Sequence, residues 1–92
     1  MIVHLRPLGA LEGYLGSPRL AVELQGEATL RDLLQLVDAR WGMQLPERLW
    51  DRAAKRFRGP VLIMSAGVDL RDPATPLADQ QEIILAMPLA GG

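Results

Sequence analysis

The sequence predicts an α+β domain, a mixed sheet of four to five strands with one main helix and a second short helix. Three observations predict it. Short runs with strand character lie near both ends of the chain, at 2–6, 19–24 and 82–87. Between them lies one long apolar stripe at helical spacing, from Leu30 to Trp41. Finally, 49% hydrophobic content over 92 residues suffices for a single folded core.

Ile2-Val3-His4-Leu5-Arg6 reads as the first strand, with Val3 and Leu5 on one face and Ile2, His4 and Arg6 on the other. The glycines and bounding prolines of 7–18 predict a loop. Arg19 to Leu24 alternates, turning Leu20, Val22 and Leu24 inward, and pairs with the first strand as a hairpin. Thr29 and Asp32 form a capping-box-like pair. They open a helix whose apolar side is Leu30, Leu33, Leu34, Val37 and Trp41, and Gly42 supplies its stop.

Pro46 predicts the first position of a second, shorter helix. Leu49, Trp50, Ala53, Ala54 and Phe57 would be its buried side, and Gly59-Pro60 would end it. Val61 to Met64 reads as the third strand, 66–69 as a turn, and 68–71 as a short returning strand. Asp72-Pro73-Ala74-Thr75-Pro76 breaks the chain before a last strand from Glu82 to Met87. A hairpin, a helical crossover and further strands in this order make the β-grasp. The expected division is a β-grasp domain over 1–87 and an extended tail over 88–92.

Composition narrows the chemistry. With no cysteine there is no disulfide, thiolate metal site or cysteine nucleophile. A single histidine, His4, is not a metal site, so no metal is expected. Net charge is −1, and the one local basic excess, 52–58, reads as a solvated helix face; no nucleic-acid partner is expected. No basic leader with a long apolar run opens the chain, and no run approaches a membrane span. The expectation is a cytoplasmic protein with no membrane partner.

The chain closes on Pro88-Leu89-Ala90-Gly91-Gly92 directly after the last strand. This ending resembles the Pro-x-x-Gly-Gly terminus of the ubiquitin-like sulfur carriers of the ThiS/MoaD family. The element order, the glycine-containing segment Leu8 to Gly16 and the stretch Pro76-Leu77-Ala78-Asp79-Gln80-Gln81-Glu82-Ile83 carry the same resemblance. Gln80-Gln81 stands where that family usually has Gly-Asp. The segment from Met43 to Pro60 brings the length nearer the molybdopterin-synthase small subunit than the shorter thiamine-pathway carrier.

The resemblance implies a carrier whose Gly92 carboxylate is adenylated and converted to a thiocarboxylate, then donates sulfur in molybdopterin biosynthesis. The chain would be a cosubstrate or non-catalytic subunit and not an enzyme, with no bound cofactor and with ATP used by the activating partner. Its implied partners are an E1-like adenylating enzyme, a larger molybdopterin synthase-type subunit and a sulfur donor protein.

Elementary chemistry fits that ending. A terminal carboxylate with a pKa of about 3.5 is ionised at neutral pH. Five extended residues reach roughly 17 Å. Glycine adds no side chain to that thread, and Pro88 ends sheet pairing. Gly91 and Gly92 are thus the expected reactive end, with Pro88, Leu89 and Ala90 as the segment a partner holds. Strands apolar on both faces need two covers, so Ile84, Ala86 and Ile2 are expected in a docking surface unless 46–58 folds over them. Three alternatives stay open: a ubiquitin-like modifier conjugated through Gly92, a carrier for thiamine or cysteine synthesis, and a pure interaction domain.

Overall fold

The computed structural model describes residues 1–87. The expected tail, 88–92, lies outside them. Seven strands and two helices follow in the order β1 (Ile2–Pro7), α1 (Ala10–Leu15), β2 (Leu20–Glu23), α2 (Leu30–Trp41), β3 (Trp50–Asp51), β4 (Arg56–Phe57), β5 (Leu62–Ser65), β6 (Val68–Asp69) and β7 (Glu82–Ala86). Five strands form one mixed sheet in the order β2-β1-β7-β5-β6, and β3 and β4 form a separate hairpin. Parallel pairing joins β1 to β7 at the centre, with antiparallel strands outside. This is the β-grasp.

Alternation in the strands places the core on one face. Val3, Leu5, Val22, Ile63, Ile83 and Leu85 are buried in one cluster with Leu30, Leu33, Leu34, Val37 and Trp41 of α2. The stripe read from sequence is therefore the buried side of the helix. Its start is held from two directions. Asp32 Oδ2 accepts from the Thr29 backbone N–H at 2.8 Å, closing the capping pair. The Leu30 and Arg31 N–H groups donate to the carbonyls of Thr75 and Pro73, each at 2.9 Å. The proline-rich break is thus also a cap for α2.

Gly42 ends α2 as expected, but without entering the left-handed region. Its φ of −54° and ψ of −36° are right-handed. Glycine is required there by close approach instead, because a Cβ would stand 2.5 Å from the Asp38 carbonyl oxygen.

Two expectations are corrected. The segment 7–18 is not all loop, since it contains α1. Leu11 and Leu15, one turn apart, are both buried, and Gly9 (φ 60°) and Gly16 (φ 89°) bound the helix. The second helix over 46–58 does not form; a single turn at 46–49 leads into the β3–β4 hairpin. Asp51 explains the switch, because its carboxylate accepts from the Ala53 and Ala54 N–H groups, each at 3.1 Å, and sets a turn. Trp50 and Phe57 then face each other across the hairpin, ring centroids 4.8 Å apart and edge to face. Ala53 and Ala54, expected inside, are exposed.

The remaining differences are small. β5 starts at Leu62 and not Val61, β6 spans two residues, and the turn between them uses Ala66 (φ 50°) and Gly67 (φ 79°). The turn into β7 places Gln80 at φ 66°, the conformation for which glycine is usual. Neighbouring side chains brace it: Asp79 Oδ1 accepts from the Ile2 N–H at 2.8 Å, and Gln80 Oε1 lies 2.8 Å from His4 Nε2.

The hydrogen bond from Ile2 is the main reason the Asp79 carboxyl sits below its ordinary value of 3.8. A depressed folded pKa contributes stability that is full above the unfolded value and is lost as pH falls through the folded one. Asp79→Asn is therefore expected to lower stability to urea near neutral pH, with the gap to wild type closing in acid below the folded pKa. A gap of equal size at both pH values would remove the charge from the explanation.

Candidate functional site

The site to examine is the strand that leads into 88–92, with the sheet face beside it. β7 is central, paired with β1 on one side and β5 on the other. Ile83 and Leu85 point into the core and are fully buried. Ile84 and Ala86 point the other way and are half-buried. Register sets their neighbours on that face: Met64 lies opposite Ile84, Leu62 opposite Ala86, and Arg6 opposite Ile84 on the β1 side. The hairpin and both helices contribute their buried residues to the single core on the other face. Leu62, Met64, Ile84 and Ala86 therefore form an uncovered apolar strip among the described residues.

The strip has a charged border. Glu82 lies 3.3 Å from Arg6 Nη1 and 3.6 Å from Arg19 Nη2. These groups are largely in solvent, so each pair contributes at most about 1 kcal/mol. They mark one end of the face as polar. At the core edge of the same strand, buried Ser65 donates to the Glu82 carbonyl and accepts from Gln81 Nε2, both at 2.8 Å. These bonds tie the start of β7 to β5. The Leu8 N–H donates to the Leu85 carbonyl at 2.9 Å, tying the other end of β7 to the chain just after β1. The base from which the last residues depart is therefore fixed on both sides.

The structure brings Ile84 and Ala86 together with Leu62 and Met64, whose apolar run was already visible in sequence. Ile2 shares the face, but His4 and Arg6 follow it along β1. It stands roughly 13 Å along the strand from the position opposite Ile84. Its exposure is 36%. Pro88, Leu89, Ala90, Gly91 and Gly92 lie outside the described residues. Among the described residues no group of three or more His, Cys, Asp or Glu could hold a metal ion, and no helix is long and apolar enough to cross a membrane. The polar end of the face, His4, Arg6, Arg19 and Glu82, was missed by sequence reasoning; Arg19 precedes β2 and Glu82 opens β7, far apart in the chain, and only the β2-β1-β7 order brings them together.

No protein-family model and no curated protein matches the sequence. Solved structures do match it. SAMP1 from Haloferax volcanii superposes with a TM-score of 0.81 at 20% identity, over 100% of both chains. A protein assigned as molybdopterin converting factor, subunit 1, from Pyrococcus furiosus gives 0.73 at 17% identity, over 97% of this chain and 99% of that one. A chain of the Amycolatopsis orientalis BexX/CysO complex gives 0.65 at 18% identity, over 98% and 99%. At the level of fold, the resemblance drawn from the sequence to the ThiS/MoaD proteins therefore holds, and the chain is a ubiquitin-like β-grasp protein.

Proposed function

We propose that this protein is a sulfur carrier whose form ending at Gly92 is charged there by a partner, and that it donates the sulfur in molybdopterin synthesis. The observation that carries the reading is positional. A Gly-Gly pair follows, after a proline-led spacer, the central strand of a β-grasp sheet whose outer face is an uncovered apolar strip. The likeness in fold to a molybdopterin converting factor subunit and to a chain of the BexX/CysO complex supports it.

The chemistry assigns the chain one reacting group. The Gly92 carboxylate oxygen attacks the α-phosphorus of ATP on the adenylating enzyme; the new O–P bond forms as the bond to pyrophosphate breaks. Hydrosulfide released by a donor protein then attacks the acyl carbon, and the new C–S bond forms as the C–O bond to the phosphate breaks. AMP leaves with the bridging oxygen, and a thiocarboxylate remains. The body's part is to dock and orient: the Leu62–Met64–Ile84–Ala86 strip supplies apolar contact, and the Arg6–Glu82–Arg19 border supplies register. E1-like enzyme, larger synthase subunit and sulfur donor are the proposed partners, in the cytoplasm.

The test is ATP–pyrophosphate exchange by the adenylating enzyme, which requires the carboxylate of this chain as adenylyl acceptor. Ile84→Arg places a charge in the middle of the strip and is expected to raise the chain concentration needed for half-maximal exchange at least tenfold, about 1.4 kcal/mol of docking. Because Ile84 faces away from the core, its thermal unfolding should change little. Exchange unaffected by the substitution would remove the strip from the docking surface.

A second reading, conjugation through Gly92 to lysines of other proteins, is favoured by the likeness to a small archaeal modifier protein. C-terminal peptides of this chain joined through Gly92 to lysines of other proteins would establish it, and their absence would remove it.

A further inference from the structure

A cleft of about 590 Å³ lies between the first turns of α2, the β3–β4 hairpin and the β5–β6 hairpin, meeting the open sheet strip only at Leu62. Its floor is aliphatic and largely buried: Leu30, Leu34, Val61 and Ile63, with the half-buried Leu70 at one side. Its rim is basic. Arg31, Lys55, Arg56, Arg58 and Arg71 are five of the ten cations in a chain of net charge −1, and Asp69 is the one carboxylate among the lining residues. Arg71 is held by Asp69 at 2.8 Å, and Arg58 lies 3.9 Å from Asp51. Arg31, Lys55 and Arg56 form no close ion pair among the described residues, although Asp51 stands opposite Arg56 across the hairpin.

That concentration is unfavourable in the free protein, because like charges gathered on one rim repel. The fold creates it by a specific device. Asp51 closes the hairpin turn so that Lys55, at φ 55°, and Arg56 stand at the mouth of the cleft. Arg31 reaches the same mouth from the first turn of α2. An occupant that relieves the repulsion must be anionic, and one that uses the floor must carry an aliphatic group.

We propose that this cleft docks an acidic protein segment, with an aliphatic side chain on the floor and flanking carboxylates on Arg31, Lys55 and Arg56. The charge complement would fit a nucleic-acid strand equally, but the floor would not. Its one aromatic ring, Phe57, is 7% exposed and engaged with Trp50, so no face is free for a base to stack on. The site shares Leu62 of β5 with the strip but none of its β7 residues, and it does not depend on the carrier reading.

The experiment is an NMR titration of the full, isotope-labelled chain with a short peptide in which Asp and Glu flank a Leu-Ile pair. Saturable shifts at the amides of Arg31, Leu34, Phe57 and Leu70 are expected, weakening with added salt. The same peptide with Asn and Gln in place of the acids should lose most of its binding. Lys55→Glu with Arg56→Glu should weaken binding at least tenfold. Both side chains are exposed, so the folded amide pattern should persist; Arg31→Glu, outside the hairpin, is the independent second variant. Shifts centred on Met64 and Ile84, or affinity indifferent to these reversals, would overturn the proposal. So would a thymidine oligonucleotide that binds the cleft as tightly as the peptide.

Discussion

Removing Gly91 and Gly92 is expected to abolish charging of the chain while leaving its folding stability within about 0.5 kcal/mol of the intact protein. The two halves of that expectation rest on different observations. Stability is expected from the core of the described residues, among which every strand and helix is complete at Ala86 and the core residues of β7 are Ile83 and Leu85. Charging, in the proposed reaction, needs a carboxylate at the end of a thread without side chains. A chain ending at Ala90 still offers a carboxylate. It is two residues shorter, roughly 7 Å, and it carries a Cβ beside the reacting carbon. Misplacement of that size removes reaction geometry outright. ATP–pyrophosphate exchange should fall to background, and urea unfolding should be superimposable on wild type. Retained exchange by the truncated chain would contradict the role given to the Gly-Gly pair.

Trp50→Ala is expected to destabilise the fold by about 3–5 kcal/mol, a large part of what a domain this size possesses. Trp50 is fully buried. Its indole Nε1 donates to Asp38 Oδ1 of α2 at 2.9 Å, and its ring meets the edge of Phe57 across the hairpin. One side chain thus fastens the β3–β4 hairpin to both the helix and its own second strand. Replacement by alanine opens a cavity, strands a carboxylate oxygen and leaves Phe57 without its aromatic partner. The melting temperature should drop by roughly 12 °C or more. A loss under about 1 kcal/mol would mean that the hairpin is not the structural unit described here.

The same residue shows where sequence reasoning stopped. Leu49, Trp50, Ala53, Ala54 and Phe57 recur at spacings that fit a helix face, and Pro46 stands where a helix would begin. Periodicity alone could not register that Asp51 prefers two local N–H groups to a helical turn, nor that the bulk of Trp50 and Phe57 favours cross-strand contact. The helix α1 was hidden for a related reason. Its only core signal is the Leu11–Leu15 pair, set among glycines that read as loop but act as its two boundaries.

Where a pattern ran long enough, it was decisive. The stripe from Leu30 to Trp41, the strand pair β1–β2 and the apolar strand leading to Met87 all appear where expected, and together they define the β-grasp sheet. The open strip was legible too, since Leu62, Met64, Ile84 and Ala86 lie in runs apolar on both faces. The basic cleft was not legible. Arg31, Arg56 and Arg71 are separated widely in sequence, and they converge only because the hairpin at 50–57 replaces the expected helix.

The most direct measurement of the central claim is the intact mass of the purified 92-residue protein after incubation with an adenylating enzyme, ATP and a sulfur donor. Replacement of one oxygen by sulfur, localised by fragmentation to Gly92 and absent without ATP, is the result predicted. An unchanged mass while the same partners charge a known carrier would contradict it.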